Sequence, residues 1–572
     1  MTDTSSPAVR RVMVIGLDGA TWDLITPWAQ QGKLPHLAQL MAEGAHGPLA
    51  STVPPISAPA WTSFMTGVNP GKHGIYHFQE HIPNSYQARL VSGADVKAPT
   101  IWRILSEAGK SSISVNVAMT FPPERINGIV IAGVDAPGTG SQYTYPPELA
   151  KELEDAIGEY VIEPGIVEHT RRGRYDAAFQ AILFALEQRC KAVEYLMSHK
   201  PWDLFVVNFR ATDNIQHHFW HFMDPTHPLY DPQGAARYGD CILQVYQRLD
   251  EWIGALRRRL DADTALILVS DHGAGPATAK AVYFNRWLAQ QGWLTFAGER
   301  SRSLAGRLRA GLMGFLWKSI WHYLRKWLGK RTKDTLRRLF PTLYDRARTP
   351  ASYFAIDWAH TQAYSDEFRE AIWINLRGRE PQGIVSPGEE YERLRREIAR
   401  RLSESLIDPE TGEHIVERVY LREELYHGPY AEQAPDIFVQ LREQPYYRTR
   451  LSHTTRRPEP VQTLSREELL EDFLPPGLHR SEGIILLAGP NIKAGVPLHN
   501  ASIMDAAPTI LHLLGLPVPS HMDGRVLVEA LEHPGEVQYR DWGAGGPSER
   551  LGYSEEEEEL VREKLAGLGY LG

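Results

Sequence analysis

Cysteine is almost absent from this chain. Only Cys190 and Cys241 occur in 572 residues, which excludes a disulfide scaffold and any cysteine-rich zinc or iron–sulfur site. Long apolar runs are also missing. Segments such as Ile484–Ala488 fall far short of the roughly 20 residues a spanning helix needs. The opening stretch, MTDTSSPAVRRVMVIG, has no apolar region ahead of a strand near Val12, so the expectation is no secretory signal and a cytoplasmic protein. An overall positive charge is lacking too: the net charge is −9, against the basic surface that a nucleic-acid-binding protein presents. Hydrophobic residues are not scarce. At 43% they exclude wholesale disorder. The 22 His and 70 Asp and Glu leave a His/carboxylate metal site open.

The charge is unevenly spread. Residues 301–340 hold eleven Lys/Arg against one acid, Asp334, a local +10 that leaves −19 on the rest. Within them Leu304, Leu308, Leu312, Leu316, Ile320, Leu324 and Leu328 recur at i+4 and so line one helical stripe, with Trp317, Trp321 and Trp327 beside basic residues. A cap helix packed on the protein fits this pattern, and so does an interfacial helix in peripheral contact with an anionic membrane.

The first 280 residues alternate short β-rich runs with helical stretches, the pattern of a parallel α/β fold. Expected strands are Arg11–Leu17, Ser112–Val117, Ile129–Ala132, Leu204–Phe209 and Ala265–Ser270, several of them continuous apolar runs of the kind buried on both faces. Helices are expected from Ala177 past Met197, over about Tyr238–Leu260, near Glu389–Ser405 and over Ser502–Leu514, with further strands at Asp436–Gln440 and Gly483–Leu487. Residues 444–476 read as irregular. Ser554 ahead of Glu555–Glu559 predicts the capped start of a C-terminal helix ending at Gly567. The expected organisation is a catalytic core over 1–283 and 476–530, a basic aromatic helical insertion over 284–350, a mixed α/β segment over 351–475 and a tail over 531–572.

Open α/β sheets place their sites at the carboxyl ends of strands. RRVMVIGLDG ends in Asp18. LFVVNFRATDNIQHHFW delivers Asp213 and, one helical turn on, His217, with His218 as its rival. ALILVSDHGAG delivers Asp271 and His272, and PPGLHRSEGIILLAGP supplies His479. Carboxylate and imidazole without thiolate suit Zn²⁺, Mn²⁺ or a similar ion. Between the first two strands lies STVPPISAPAWTSFMTGVNPGKHGIYHF, where Ser57 opens a helix that has Pro59 in its first turn. His73 reads as structural.

This order, Asp18, then Ser57 ahead of TGVNPGKHG, then DNIQH, DHG and a late His, resembles the alkaline phosphatase superfamily. Within it the resemblance is to the type I phosphodiesterase/nucleotide pyrophosphatase family, over most of residues 11–525 outside the basic insertion. It implies an alkaline-phosphatase-like three-layer α/β sandwich with a mostly parallel central sheet and a cap insertion. It implies two divalent metal ions, read as Zn with Mn as the alternative. Asp213, His217 and His479 hold one ion, and Asp18, Asp271, His272 and the Ser57 hydroxyl hold the other. Ser57 is then the nucleophile of a phosphodiesterase that cleaves phosphate esters through a phosphoseryl intermediate. Trp61, where sulfatases have Arg, argues against a sulfatase. Ser57 in place of Thr, and Tyr76, His77 and Phe78 where the pyrophosphatases carry a phosphate-binding Asn, set the chain apart from nucleotide specialists. Arg210 and Lys97 are candidates for a phosphate clamp, each with a surface ion pair as its simpler reading. A phosphotransferase or mutase acting on a lipid-linked or other anionic substrate, and a metal-binding protein without turnover, are the other readings. Oligomeric state leaves no mark in the sequence.

Overall fold

A computed structural model describes residues 9–297, 353, 355–366, 369–444, 446–452, 455, 457–471, 474–542, 552–568 and 570. The basic stripe at 304–328, and with it residues 298–350 of the expected insertion, lies outside the described residues.

A ten-stranded sheet forms the centre. Its main strands are β1 (Arg11–Leu17), β2 (Ala45–Ala50), β3 (Ser112–Val117), β4 (Gly128–Ala132), β5 (Leu204–Phe209), β6 (Thr264–Val269) and β7 (Glu482–Ala488). They lie in the order β2-β7-β6-β1-β5-β3-β4. Neighbours from β6 to β4 pair in parallel. β7 runs antiparallel to both β6 and β2. The apolar runs are continuous because both faces are covered. Met13, Ile15 and Leu17 point into one hydrophobic cluster, and Val12 and Val14 into another. Six helices matter for the site: α1 (Ser57–Thr66), α2 (Tyr175–His199), α3 (Ala211–Met223), α4 (Cys241–Arg257), α5 (Ala506–Leu513) and α6 (Glu555–Gly567). Residues of α2, α3 and α4 fill the first cluster. Residues of α1, α5 and α6 fill the second, so the molecule has three layers, as expected.

The chain between β6 and β7 builds a smaller unit. Its four-stranded sheet comprises Ala363–Tyr364, Ala371–Ile374, Ile437–Leu441 and Val416–Leu421, covered by the helix Glu389–Ser405 over a separate apolar core. Residues 444–476, expected to be irregular, carry the short strands Arg448–Thr449 and Val461–Thr463, which pair with Lys280–Val282. Both cysteines are free and buried. Among the described residues, no helix is long and apolar enough to cross a membrane.

His73, which ends the short helix Pro70–His73, and His77 just beyond it are buried. His73 sits 3.0 Å from Ser63 Oγ and accepts at Nδ1 from the Ile75 amide. It does so as a neutral ring, a structural role. Burial pushes both imidazoles down from 6.5 to about 3. In the unfolded chain each takes a proton near pH 6.5, whereas in the folded chain each resists it until about pH 3. The stability they contribute is therefore full above pH 6.5 and drains away as pH falls through that window. Calorimetry should show the melting temperature dropping between pH 7 and 4, with a shallower slope in His73→Asn. An equal slope in that variant would remove His73 from the account.

Candidate metal centre and nucleophile

The carboxyl ends of the parallel strands β1, β5 and β6 meet at one place, and each brings a candidate ligand there. β1 ends at Leu17, so Asp18 is the next residue. β6 is followed by Asp271 and His272. β5 runs into α3, whose first turns put Asp213 and His217 on one face. His479 arrives on a short strand, Gly477–Arg480, paired to Gly273–Pro276 just before β7. These residues are scattered in sequence and all reach the same end of the sheet.

Two groups form there. Asp213 Oδ1 lies 3.0 Å from His217 Nε2 and 3.6 Å from His479 Nε2, and the two Nε2 atoms are 3.0 Å apart. In the other group His272 Nε2 lies 3.3 Å from Asp271 Oδ2, 3.9 Å from Asp18 Oδ1 and 3.3 Å from Ser57 Oγ. His272 also falls within ligand reach of Asp213 and His479, so the two groups adjoin. His218, the rival of His217, points elsewhere and meets Thr170 Oγ1 at 3.2 Å.

Each imidazole is oriented by a backbone carbonyl. His217 Nδ1 donates to Gly477 at 2.7 Å, His272 Nδ1 to Gly273 at 2.9 Å and His479 Nδ1 to Pro55 at 2.8 Å. Those bonds fix the tautomer, leaving three Nε2 lone pairs directed inward. Two lone pairs 3.0 Å apart repel unless a proton or a metal cation sits between them. Asp18 Oδ1 and Asp271 Oδ2 are buried and have no hydrogen-bond partner among the described residues, a costly state for carboxylates. Burial, and then the charges of Asp18 and Asp213, push the Asp271 carboxyl well above its usual range. Burial also drives His479 down to about 4, helped by His272. At Asp213 burial acts upward but is outweighed by His217 and Arg210, which hold its carboxyl well below the usual range. Orphaned carboxylate oxygens and convergent, carbonyl-oriented imidazoles fit divalent cations by the chemistry of the donor set.

Ser57 is the first residue of α1. Ile56 is the N-cap, and the Ser57 side chain makes no capping bond. Its hydroxyl turns instead to His272 and to Tyr570. The first turn of α1 brings backbone N–H groups that lack helical carbonyl partners, an anion-binding arrangement.

Arg210 overturns its simpler sequence reading. It is no surface residue but 1% exposed, wedged into the centre. Its guanidinium donates to Glu163 at 3.0 Å and to Asp213 at 2.9 Å, with Asp18 at 3.9 Å. Sequence reasoning also missed the residues that hold Asp18, namely Asn208 at 2.8 Å and Trp61 Nε1 at 3.1 Å. A signal for Asn208 existed: it is the one amide inside the apolar run of β5. Glu163 and Tyr570, on remote segments, left none.

A three-layer fold with an Asp/His cluster beside a helix-borne hydroxyl is the arrangement expected of a phosphoester hydrolase. The model of the type I phosphodiesterase / nucleotide pyrophosphatase family matches residues 12–465, and the chain belongs to that family. His479 lies beyond the match, so its place in the cluster rests on geometry. No curated protein matches the chain by sequence. Among solved structures, phosphonoacetate hydrolase from Sinorhizobium meliloti in complex with phosphonoformate shares the fold with TM-score 0.51 and 14% identity, over 89% of this chain and 96% of that one. Human ectonucleotide pyrophosphatase/phosphodiesterase 5 aligns with TM-score 0.47 and 14% identity, over 91% and 100%. The alkaline phosphatase PafA aligns with TM-score 0.47 and 12% identity, over 92% and 100%.

Proposed function

We propose that this protein is a two-metal phosphodiesterase in which Ser57 is the nucleophile. The observation that carries the reading is the position of the Ser57 hydroxyl, 3.3 Å from His272 Nε2 at the head of α1 and beside two adjoining ligand groups. Asp213, His217 and His479 would hold one cation. Asp18, Asp271 and His272, with Ser57 Oγ, would hold the other. Zn²⁺ suits this set of imidazoles and carboxylates, and Mn²⁺ is the alternative. Two such ions supply Lewis acidity that favours the Ser57 alkoxide and offsets charge on the phosphoryl group.

The protein's own part follows from its geometry. Ser57 Oγ attacks phosphorus in line, and the ester oxygen opposite leaves. The first-turn amides of α1 hold phosphoryl oxygens. Water then attacks the phosphoserine and frees Ser57. Asn208 and Trp61 keep Asp18 oriented throughout.

Charge supports the diester over the monoester. A monoester brings a dianion and calls for a free cationic clamp. Arg210 is already engaged by Glu163 and Asp213. A diester carries a single negative charge. With Zn²⁺ or Mn²⁺ added, kcat/KM for bis-(p-nitrophenyl) phosphate should exceed that for p-nitrophenyl phosphate by at least about tenfold. Faster turnover of the monoester would reassign the specificity, and cleavage of neither would end the hydrolytic reading.

A further inference from the structure

The family match stops at residue 465, yet a residue far beyond it touches the nucleophile. The Tyr570 hydroxyl lies 3.2 Å from Ser57 Oγ, its one hydrogen-bond partner among the described residues. The ring is 8% exposed. Phe78 packs against it with centroids 4.7 Å apart, the His479 ring lies at 6.1 Å, and the Arg210 guanidinium sits 5.9 Å from its centroid.

The segment that carries Tyr570 is firmly anchored. In α6, Ser554 caps the first turn and Val561 and Leu565 are buried in the second cluster. Tyr553 stacks on Phe121 at 5.6 Å and donates to the Asp135 carbonyl at 2.8 Å. The Lys564 ammonium donates to the Ala136 carbonyl. Past the helix, the Tyr570 amide turns back onto the Leu565 carbonyl at 3.0 Å. Side chain and backbone are therefore both held where the hydroxyl meets Ser57.

From these contacts we infer that Tyr570 is a catalytic residue, whose hydroxyl donates a hydrogen bond to a non-bridging oxygen of the phosphoryl group carried to and from Ser57. A group in hydrogen-bond contact with the attacking oxygen is also within reach of the oxygens on the phosphorus that it attacks. A phenol carries an O–H that can donate, and Ser57 Oγ at 3.2 Å shows where it is aimed. The nearby guanidinium polarises the ring and strengthens that donor. A neutral donor also suits a monoanionic diester. A cavity of about 460 Å³ has Ile56, His217, His479 and Tyr570 among its walls. Tyr570 stands between that cavity and the buried Ser57.

This inference rests on the reading of Ser57 as nucleophile, so the test runs both variants on the full-length, metal-loaded enzyme. Tyr570→Phe keeps the ring and removes only the hydroxyl. It should lower kcat/KM for bis-(p-nitrophenyl) phosphate by about 10²-fold, as loss of one preorganised oxyanion donor does. Melting temperature and bound metal should be unchanged, and inhibition by vanadate should weaken in step. Tyr570→Ala should lose at least as much. A Tyr570→Phe enzyme within twofold of wild type, or a Tyr570→Ala enzyme that is faster, would overturn the inference while leaving Ser57 in place. Activity surviving in Ser57→Ala would instead bring down the nucleophile reading, and this inference with it.

Discussion

Replacing Ser57 with alanine will lower turnover of bis-(p-nitrophenyl) phosphate by about four orders of magnitude or more, the scale on which nucleophile removal acts in covalent hydrolases. The residual rate will reflect the cluster and the helix terminus alone. The hydroxyl is small and α1 needs nothing from it, since Ser57 makes no capping bond. Melting temperature should therefore move by no more than a degree or two. Metal content should fall slightly at most, because Asp18, Asp271 and His272 remain. A stable, metal-replete Ser57→Ala enzyme that keeps one per cent of its activity would exclude the phosphoseryl route. Rapid quenching with labelled diester offers an independent check: label should be trapped on the wild-type protein and not on the variant.

The second large effect concerns the carboxylates. Asp271→Asn removes the charge from a buried group whose second oxygen has no hydrogen-bond partner among the described residues. With metal present, activity should fall by at least about 10³-fold as one ion is lost. Without metal the same change should be harmless or stabilising. Asp271 is pressed by Asp18 and Asp213, and neutralising it relieves that repulsion. The wild-type protein should behave in the opposite way, with chelation costing both activity and several degrees of melting temperature, and added Zn²⁺ or Mn²⁺ restoring both. Thermal unfolding of both proteins, with chelator and with metal, separates the cases. A wild-type curve that ignores chelator would refute a metal centre.

Much of this was legible in the sequence because the fold obeys local rules. β1, β3 and β5 match the apolar runs to the residue, and β6 is displaced by one. The C-terminal helix begins after Ser554 and ends at Gly567, where capping chemistry places it. Strand-end carboxylates could be found because a parallel sheet dictates where its carboxyl ends meet. β2 escaped notice because AHGPLA carries a glycine and a proline and only half of its residues are buried. It belongs to the sheet through pairing with β7, a long-range choice that no local pattern encodes. Arg210 was misjudged for a related reason. A lone Arg is more often solvated, and its burial depends on Glu163, which is brought near by tertiary packing. Tyr570 stayed hidden because nothing in a single aromatic residue tells whether its helix docks beside a nucleophile.

The span between Asp18 and His479 bears on how the enzyme comes into being. During synthesis most of the layered core, from β1 to β6, emerges and can begin to pack well before β7 is made. Without β7, the sheet edge at β6 has no partner and His479 is not yet there to complete its group. A nascent chain can thus hold Asp18, Ser57, Asp213, His217, Asp271 and His272 in place and still lack a finished site. The antiparallel strand then slots in between β2 and β6 and brings His479 to its group, and Tyr570 reaches Ser57 only after the C-terminal helix has docked.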